Sequence, residues 1–301
     1  MRPLVPAVLT YLAFAACVVP AGAETDQGDR LRKLFVLSNT EFVLLHEFAH
    51  LIIHEFDLPV LGNEEDAADR IAAVTMILRY RLDKDERELR RLLAVTSEWL
   101  AEWEEQHEEG RALPFWDAHA LDIQRAFTIL CLVSGSNPDK YSRPDQPMLL
   151  PLPRGWDCSR EFNQARRAME WVAEKGGRKH GANEARTSGR VRIRYEEASG
   201  DPAEMLLAWL MESGVAESAA RYLETVFAFP RDLTVVFKHG PANAYSVPAE
   251  GKIIFCYELM ERYLRVGNDR IAEIGDPCGI SSIREHLADE FGCPVRDAPI
   301  R

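Results

Sequence analysis

The residues best placed to do chemistry in this chain are His46, Glu47 and His50, in the run His46-Glu47-Phe48-Ala49-His50. On a helix, this spacing stacks two imidazoles one turn apart on one face, where they can clamp a single zinc ion. The glutamate between them then lies beside the open coordination position, placed to take a proton from a water there. Two imidazoles need a third protein ligand if a fourth position is to stay open. The acidic run Glu64-Glu65-Asp66-Ala67-Ala68-Asp69 follows after a short gap. Glu65 is the sharper candidate ligand, with Asp69 four residues later on the same helix face. Glu64 and Asp66 stay open as alternatives, because the phase of that helix decides which carboxylate faces the imidazoles. His54 is set aside: two turns from His46, roughly 12 Å along the axis, it cannot share one ion with it.

Positioning these groups needs two helices folded back on each other. Apolar residues repeat at helical spacing over 32–56, which predicts one amphipathic helix ended by Asp57-Leu58-Pro59. A second helix is predicted from Glu64 to about Leu82, and the bend between Pro59 and Asn63 would lay it beside the first. Further helices are predicted over 85–109, from Asp117 to Val133, and over 157–174, with a Pro/Asn/Ser-rich loop at 134–155. Residues 174–189 are rich in Gly, Lys and Arg and read as a linker. Beyond them Val191–Tyr195 alternates as a strand, Pro202–Phe229 is helical, and Leu233–Phe237 and Ile253–Tyr257 suggest a hairpin. The fold class expected is α+β, mainly helical, with a small sheet made by C-terminal strands. Its organisation is 1–23 signal peptide, 24–173 helical metal-binding region, 174–189 linker, and 190–301 an α+β region packing on the metal site.

Composition narrows the partners. A net charge of −12 over 301 residues argues against nucleic acid, whose phosphates need clustered Lys and Arg. It argues equally against docking on anionic lipid. Arg2, the apolar run Leu4–Val19 and Ala21-Gly22-Ala23 read as a secretory signal peptide cleaved after Ala23. Export to the periplasm or medium allows disulfides. Cys131 with Cys158 and Cys278 with Cys293 are the sequence-near pairings, leaving Cys256 over.

The glutamate-then-aspartate spacing after the first motif resembles the gluzincin clan of zinc peptidases. That resemblance implies Glu65 as third zinc ligand and Asp69 as acceptor of a hydrogen bond from His46. More of the chain is similar to a bacterial family of metallopeptidase-like proteins catalogued as a domain of unknown function. The similarity lies in Phe42–Ala73, Trp116–Arg125, Leu130-Cys131, Gly135–Pro138, Asn243-Ala244-Tyr245 and Cys256–Leu259. It implies one zinc ion and a peptidase-like site. The chain departs from the pattern in three places. Ala49 stands where glycine is common, His239 precedes Gly240 where a cysteine is expected, and the strands follow the metal helix rather than precede it. Ile253–Cys256 or Leu233–Phe237 is then the candidate strand for binding extended substrate.

The chemistry expected is peptide-bond hydrolysis on a peptide or protein substrate, with Glu47 as general base. A donor to the tetrahedral oxyanion is also needed, and His119, Tyr245 and Tyr257 are the candidates. For His119 the competing reading is an ordinary polar residue in a helix first turn capped by Asp117. For the tyrosines it is packing. A zinc hydrolase of non-peptide amides and a metal-stabilised scaffold without turnover are the alternatives. The intact Glu47 disfavours the scaffold, which needs no base.

Overall fold

The computed structural model describes residues 21–82, 88–108, 112–113, 115–141, 150, 152–177 and 188–274. Its helices are α1 (Ala21–Glu55), α2 (Glu64–Tyr80), α3 (Leu89–Glu108), α4 (Asp122–Ser136), α5 (Pro138–Tyr141), α6 (Leu152–Gly155), α7 (Cys158–Gly176), α8 (Asp201–Ser213), α9 (Val215–Val226) and α10 (Tyr257–Ile274). Four strands, β1 (Val191–Tyr195), β2 (Leu233–Lys238), β3 (Ala244–Val247) and β4 (Lys252–Cys256), complete a mainly helical α+β architecture.

α1 is the axis of the molecule. The sequence predicts an amphipathic helix, yet from Phe35 to Ile53 it is buried on nearly every face. Most of its polar residues are satisfied inside, the exception being the Ser38 hydroxyl, buried without a hydrogen-bond partner. Thr40 Oγ1 donates to the Val36 carbonyl at 2.8 Å and Asn39 Nδ2 to that of Phe35 at 3.0 Å. Glu41, fully buried, receives the Arg79 guanidinium and the Tyr80 hydroxyl. A helix covered all round belongs in a core. Gly28–Glu55 is long and apolar enough to cross a membrane, but 94% of its most apolar window is buried within the protein. The predicted signal segment falls mainly on residues 1–20, outside those described.

The chain turns sharply after α1. Asp57 adopts a left-handed φ of 46° and Leu58 N–H returns to the Ile53 carbonyl at 2.9 Å, a C-terminal cap. Gly62, at φ 115°, and Asn63 then start α2, the Asn63 side chain accepting from Glu65 N–H at 3.0 Å. α2 returns antiparallel to α1, as the pairings His50–Glu64, His46–Asp69 and Glu41–Arg79 show. Ala68, Ala72 and Ala73 are fully buried, so the two backbones approach closely enough for short carboxylates to reach the imidazoles.

α4 packs across α2 and α7, and Cys131 in α4 is disulfide-bonded to Cys158 in α7. Closing that loop of 27 residues restricts the unfolded chain, worth about 3.5 kcal/mol in the chain-entropy account. Gly135 is required there, since a Cβ would lie 2.1 Å from the Cys158 carbonyl oxygen. Cys256 is a free, buried thiol, and Gly240 leaves room for its sulfur. Cys278 and Cys293 lie outside the described residues.

The sheet corrects the predicted hairpin. Its order is β1-β2-β4-β3, with β1, β2 and β4 parallel and β3 antiparallel to β4. β2 and β4 are therefore adjacent but parallel, and the antiparallel hairpin is β3–β4, closed by a tight turn at Pro248–Gly251. β2 and β4 are interior strands with both edges paired, so neither can receive an added strand. Among the described strands the free edges belong to β1 and β3. The predicted helix over 202–229 is also two, broken at Gly214, whose φ of 58° suits glycine.

Candidate metal centre and its cleft

A cleft of about 670 Å³ opens between α1, the N-terminus of α2, α3, α10 and β3. At its floor, three imidazoles and one carboxylate converge. Glu65 Oε2 lies 3.1 Å from His46 Nε2, 3.3 Å from His50 Nε2 and 3.0 Å from His119 Nε2, while the two helix histidines bring their Nε2 atoms 3.2 Å apart. Each ring is held from behind through Nδ1 by another carboxylate: His46 by Asp69 at 2.8 Å, His50 by Glu64 at 2.7 Å, His119 by Asp117 at 3.1 Å. Such partners fix the tautomer in which Nδ1 carries the proton and Nε2 is the free donor atom.

Three unprotonated imidazole nitrogens at 3.0–3.3 Å from one carboxylate oxygen repel it unless a cation lies among them or protons are taken up. Ligands bound at ~2.0–2.1 Å around a tetrahedral ion are separated by about 3.3 Å. The residues present therefore fit a divalent metal ion: the ligand atoms of His46, Glu65 and His119 lie within 4.8 Å of one another, and His50 Nε2 is 3.2 Å from His46 Nε2 and 3.3 Å from Glu65 Oε2.

Protons substitute for the ion in the metal-free protein. Burial opposes charge on His46, but its hydrogen bonds to Asp69 and Glu65 outweigh that and push its pKa up to about 9. His50 and His119 are raised too, His50 against burial by Glu65 and Glu64, His119 chiefly by Glu65. Hydrogen bonds from His119, His46 and His50 hold Glu65 far below the usual carboxylate range. A raised histidine pKa stabilises the fold fully below its unfolded value near 6.5 and ceases to do so as pH climbs through about 9. The metal-free protein should thus lose on the order of 3 kcal/mol between those limits. The metal-loaded protein should gain stability over the same range, because an ion binds the deprotonated rings. Thermal melts from pH 6 to 9.5 with and without chelator check this; parallel curves would sink it.

Asp69 is itself anchored. Arg125 of α4 grips it with Nε to Oδ2 at 2.7 Å and Nη2 to Oδ1 at 2.8 Å. Burial favours the neutral acid, yet Arg125 and His46 together bring the Asp69 pKa down to about 2. The guanidinium lies 3.6 Å over the Trp99 ring. Arg125 is the functional side chain that sequence reasoning missed. An arginine three residues into a helix has no local signal, and only its burial reveals it.

Glu47 points into the cleft beside these groups without joining them. It is 7% exposed; burial raises its pKa, while His46, His50 and the Ser246 backbone N–H of β3 favour its charge. Glu98 and Tyr263, both buried, line the same cleft, burial pushing the Glu98 pKa up to about 7.

The other sequence candidates divide cleanly. Glu64 lies behind His50, Asp66 is exposed, and His54 is exposed in the last turn of α1. Tyr245 lines the cleft from β3. Tyr257 is not brought there: it is fully buried, and its hydroxyl donates to the Glu196 carbonyl at 2.6 Å. His119 is not in a helical first turn. Asp117 Oδ1 accepts from His119 N–H at 2.8 Å, a local turn that delays α4 until Asp122 and leaves His119 on an exposed bend.

A family model described as "Putative metallopeptidase", DUF4344, matches residues 19–173 and 195–274, well over half of the chain. No curated protein and no solved structure gives a significant match. With His46, Glu47, His50, Glu65, Asp69, His119 and Arg125 all inside the matched segments, the chain belongs to this metallopeptidase family.

Proposed function

We propose that the protein is an exported zinc-dependent peptidase that hydrolyses peptide bonds in its α1–α2 cleft. The observation that carries this reading is the convergence of carboxylate-backed imidazoles on Glu65, with the separate buried carboxylate of Glu47 beside them. His46, His50 and Glu65 would hold the ion in a zincin-like helix pair, and Asp69, clamped by Arg125, would orient His46. Nitrogen donors with one carboxylate at this spacing suit zinc. When bound, zinc would supply Lewis acidity and lower the pKa of water at the site.

The chain's own residues do the rest. Glu47 takes the proton from the attacking water and passes it to the leaving amine, a role its raised pKa favours. β3 supports a peptide rather than another amide. Its outer edge is unpaired among the described strands, and it lines the cleft through Ala244, Tyr245 and Ser246. An extended substrate can add to that edge through main-chain hydrogen bonds. Tyr245 stands within the cleft as a donor for the developing oxyanion. The Cys131–Cys158 bridge accords with an oxidising compartment.

The test is direct. Purified protein should carry about one zinc per chain and cut a mixture of unstructured peptides at discrete bonds read by mass spectrometry. Chelation should abolish the cutting and added zinc restore it. Protein that binds no metal in zinc-replete buffer, or binds it and cuts nothing, overturns the proposal.

A further inference from the structure

We infer that His119 is a fourth, displaceable protein ligand of the metal, carried on a strap, residues 115–121, that closes the site at rest. This rests on the metal reading above and concerns how that site is regulated. His119 meets the same two criteria as the α1 histidines. Its Nε2 is 3.0 Å from Glu65 Oε2, the shortest of the three approaches, and its Nδ1 is backed by a carboxylate, Asp117. Its ring lies parallel to that of His46, with centroids 6.4 Å apart. An imidazole serving only as a distant hydrogen-bond donor has no reason to share the acceptor atom of the other two.

What differs is how His119 is held. The His46 side chain is 6% exposed in a core helix, whereas that of His119 is 46% exposed on irregular backbone. The strap is tied down by the Asp117 turn and by Asn63, whose side chain donates to the Ala118 carbonyl. Phe115 and Trp116 at its start are 77% and 81% exposed, so no apolar packing fixes them. With His46, His50, Glu65 and His119 all bound, a tetrahedral ion has no open position, the arrangement of structural rather than catalytic sites. Water and substrate then gain access only when the strap lifts His119 away. The same Asn63 that caps α2 holds the strap, which couples release to the cleft mouth where a substrate would enter.

Coordination, rather than turnover, decides the matter. Wild type, His119→Ala and His119→Cys are loaded with zinc and examined by X-ray absorption, with affinities from chelator competition. The wild type should show four protein donors, three of them imidazoles. His119→Ala should lose one imidazole, gain a water oxygen and bind zinc roughly ten- to a hundredfold more weakly. His119→Cys should show a new zinc–sulfur distance of about 2.3 Å, which only a residue within bonding reach can give. Identical two-imidazole spectra for wild type and His119→Ala, with no sulfur signal in His119→Cys, overturn the strap while leaving the metal centre standing. Absence of zinc from all three proteins overturns both.

Discussion

Glu47→Gln is expected to lower peptide hydrolysis by about 10²–10⁴-fold while zinc content stays at the wild-type level. Glutamine matches glutamate in shape, so the buried space beside His46 and His50 stays filled and the Ser246 amide keeps an acceptor. What it cannot do is accept a proton. The loss should fall on kcat rather than KM, because the group acts in the transition state and not in holding substrate. Glu47 also stands apart from the His46–Glu65–His119 cluster, so its neutralisation should leave the ligand set intact. In the wild type, activity should fall as pH drops through the Glu47 pKa, and burial places that limb above the usual carboxylate range. Kinetics on a cleaved peptide beside metal analysis separate the outcomes. Full activity in the variant would remove Glu47 from the mechanism; loss of zinc would make it a structural residue.

The part of this site legible in sequence is the part built from helical spacing. His46 and His50, like Glu65 and Asp69, are four residues apart, and 3.6-residue periodicity alone puts each pair on one face. The turn residues Asp57 and Gly62–Asn63 announced the reversal that sets the faces against each other. The rest depended on contacts distant in sequence. Asn39, Thr40 and Glu41 are polar in sequence, and only Arg79, Tyr80 and the helix's own carbonyls show how they are buried. β2 and β4 have strand composition, but their parallel pairing and the outer place of β3, which packs on α1 with β4, are set by tertiary contacts that no local pattern encodes. His119 was visible as a residue and misplaced as an element. A two-residue side-chain turn at Asp117 competes with helix capping on equal local terms. Tertiary contact with Glu65 and Asn63 decides between them.

Arg125→Met should destabilise the protein by about 3–5 kcal/mol, the cost of leaving a buried carboxylate without its cation. Asp69 is 5% exposed, and Arg125 supplies both Oδ2's partner and one of Oδ1's. Without it Asp69 keeps only His46, and its pKa, now about 2, must rise. A neutral Asp69 pulls less on the His46 Nδ1 proton, so Nε2 becomes a poorer ligand and zinc affinity should drop about 10–100-fold. Arg125→Lys is expected to fall between, since one ammonium cannot grip both oxygens or stack as flatly 3.6 Å over Trp99. Replacing both partners, Asp69→Leu with Arg125→Met, separates the two effects. Removing the pair together spares the unpaired charge and should recover much of the stability. It cannot restore an acceptor behind His46, so zinc should remain weakly bound. Urea unfolding and zinc titration on the three variants read these quantities independently. If Arg125→Met costs less than about 1 kcal/mol and binds zinc as wild type does, Asp69 does not act through His46. If instead stability and affinity recover together in the double variant, the pair serves the fold and not the metal.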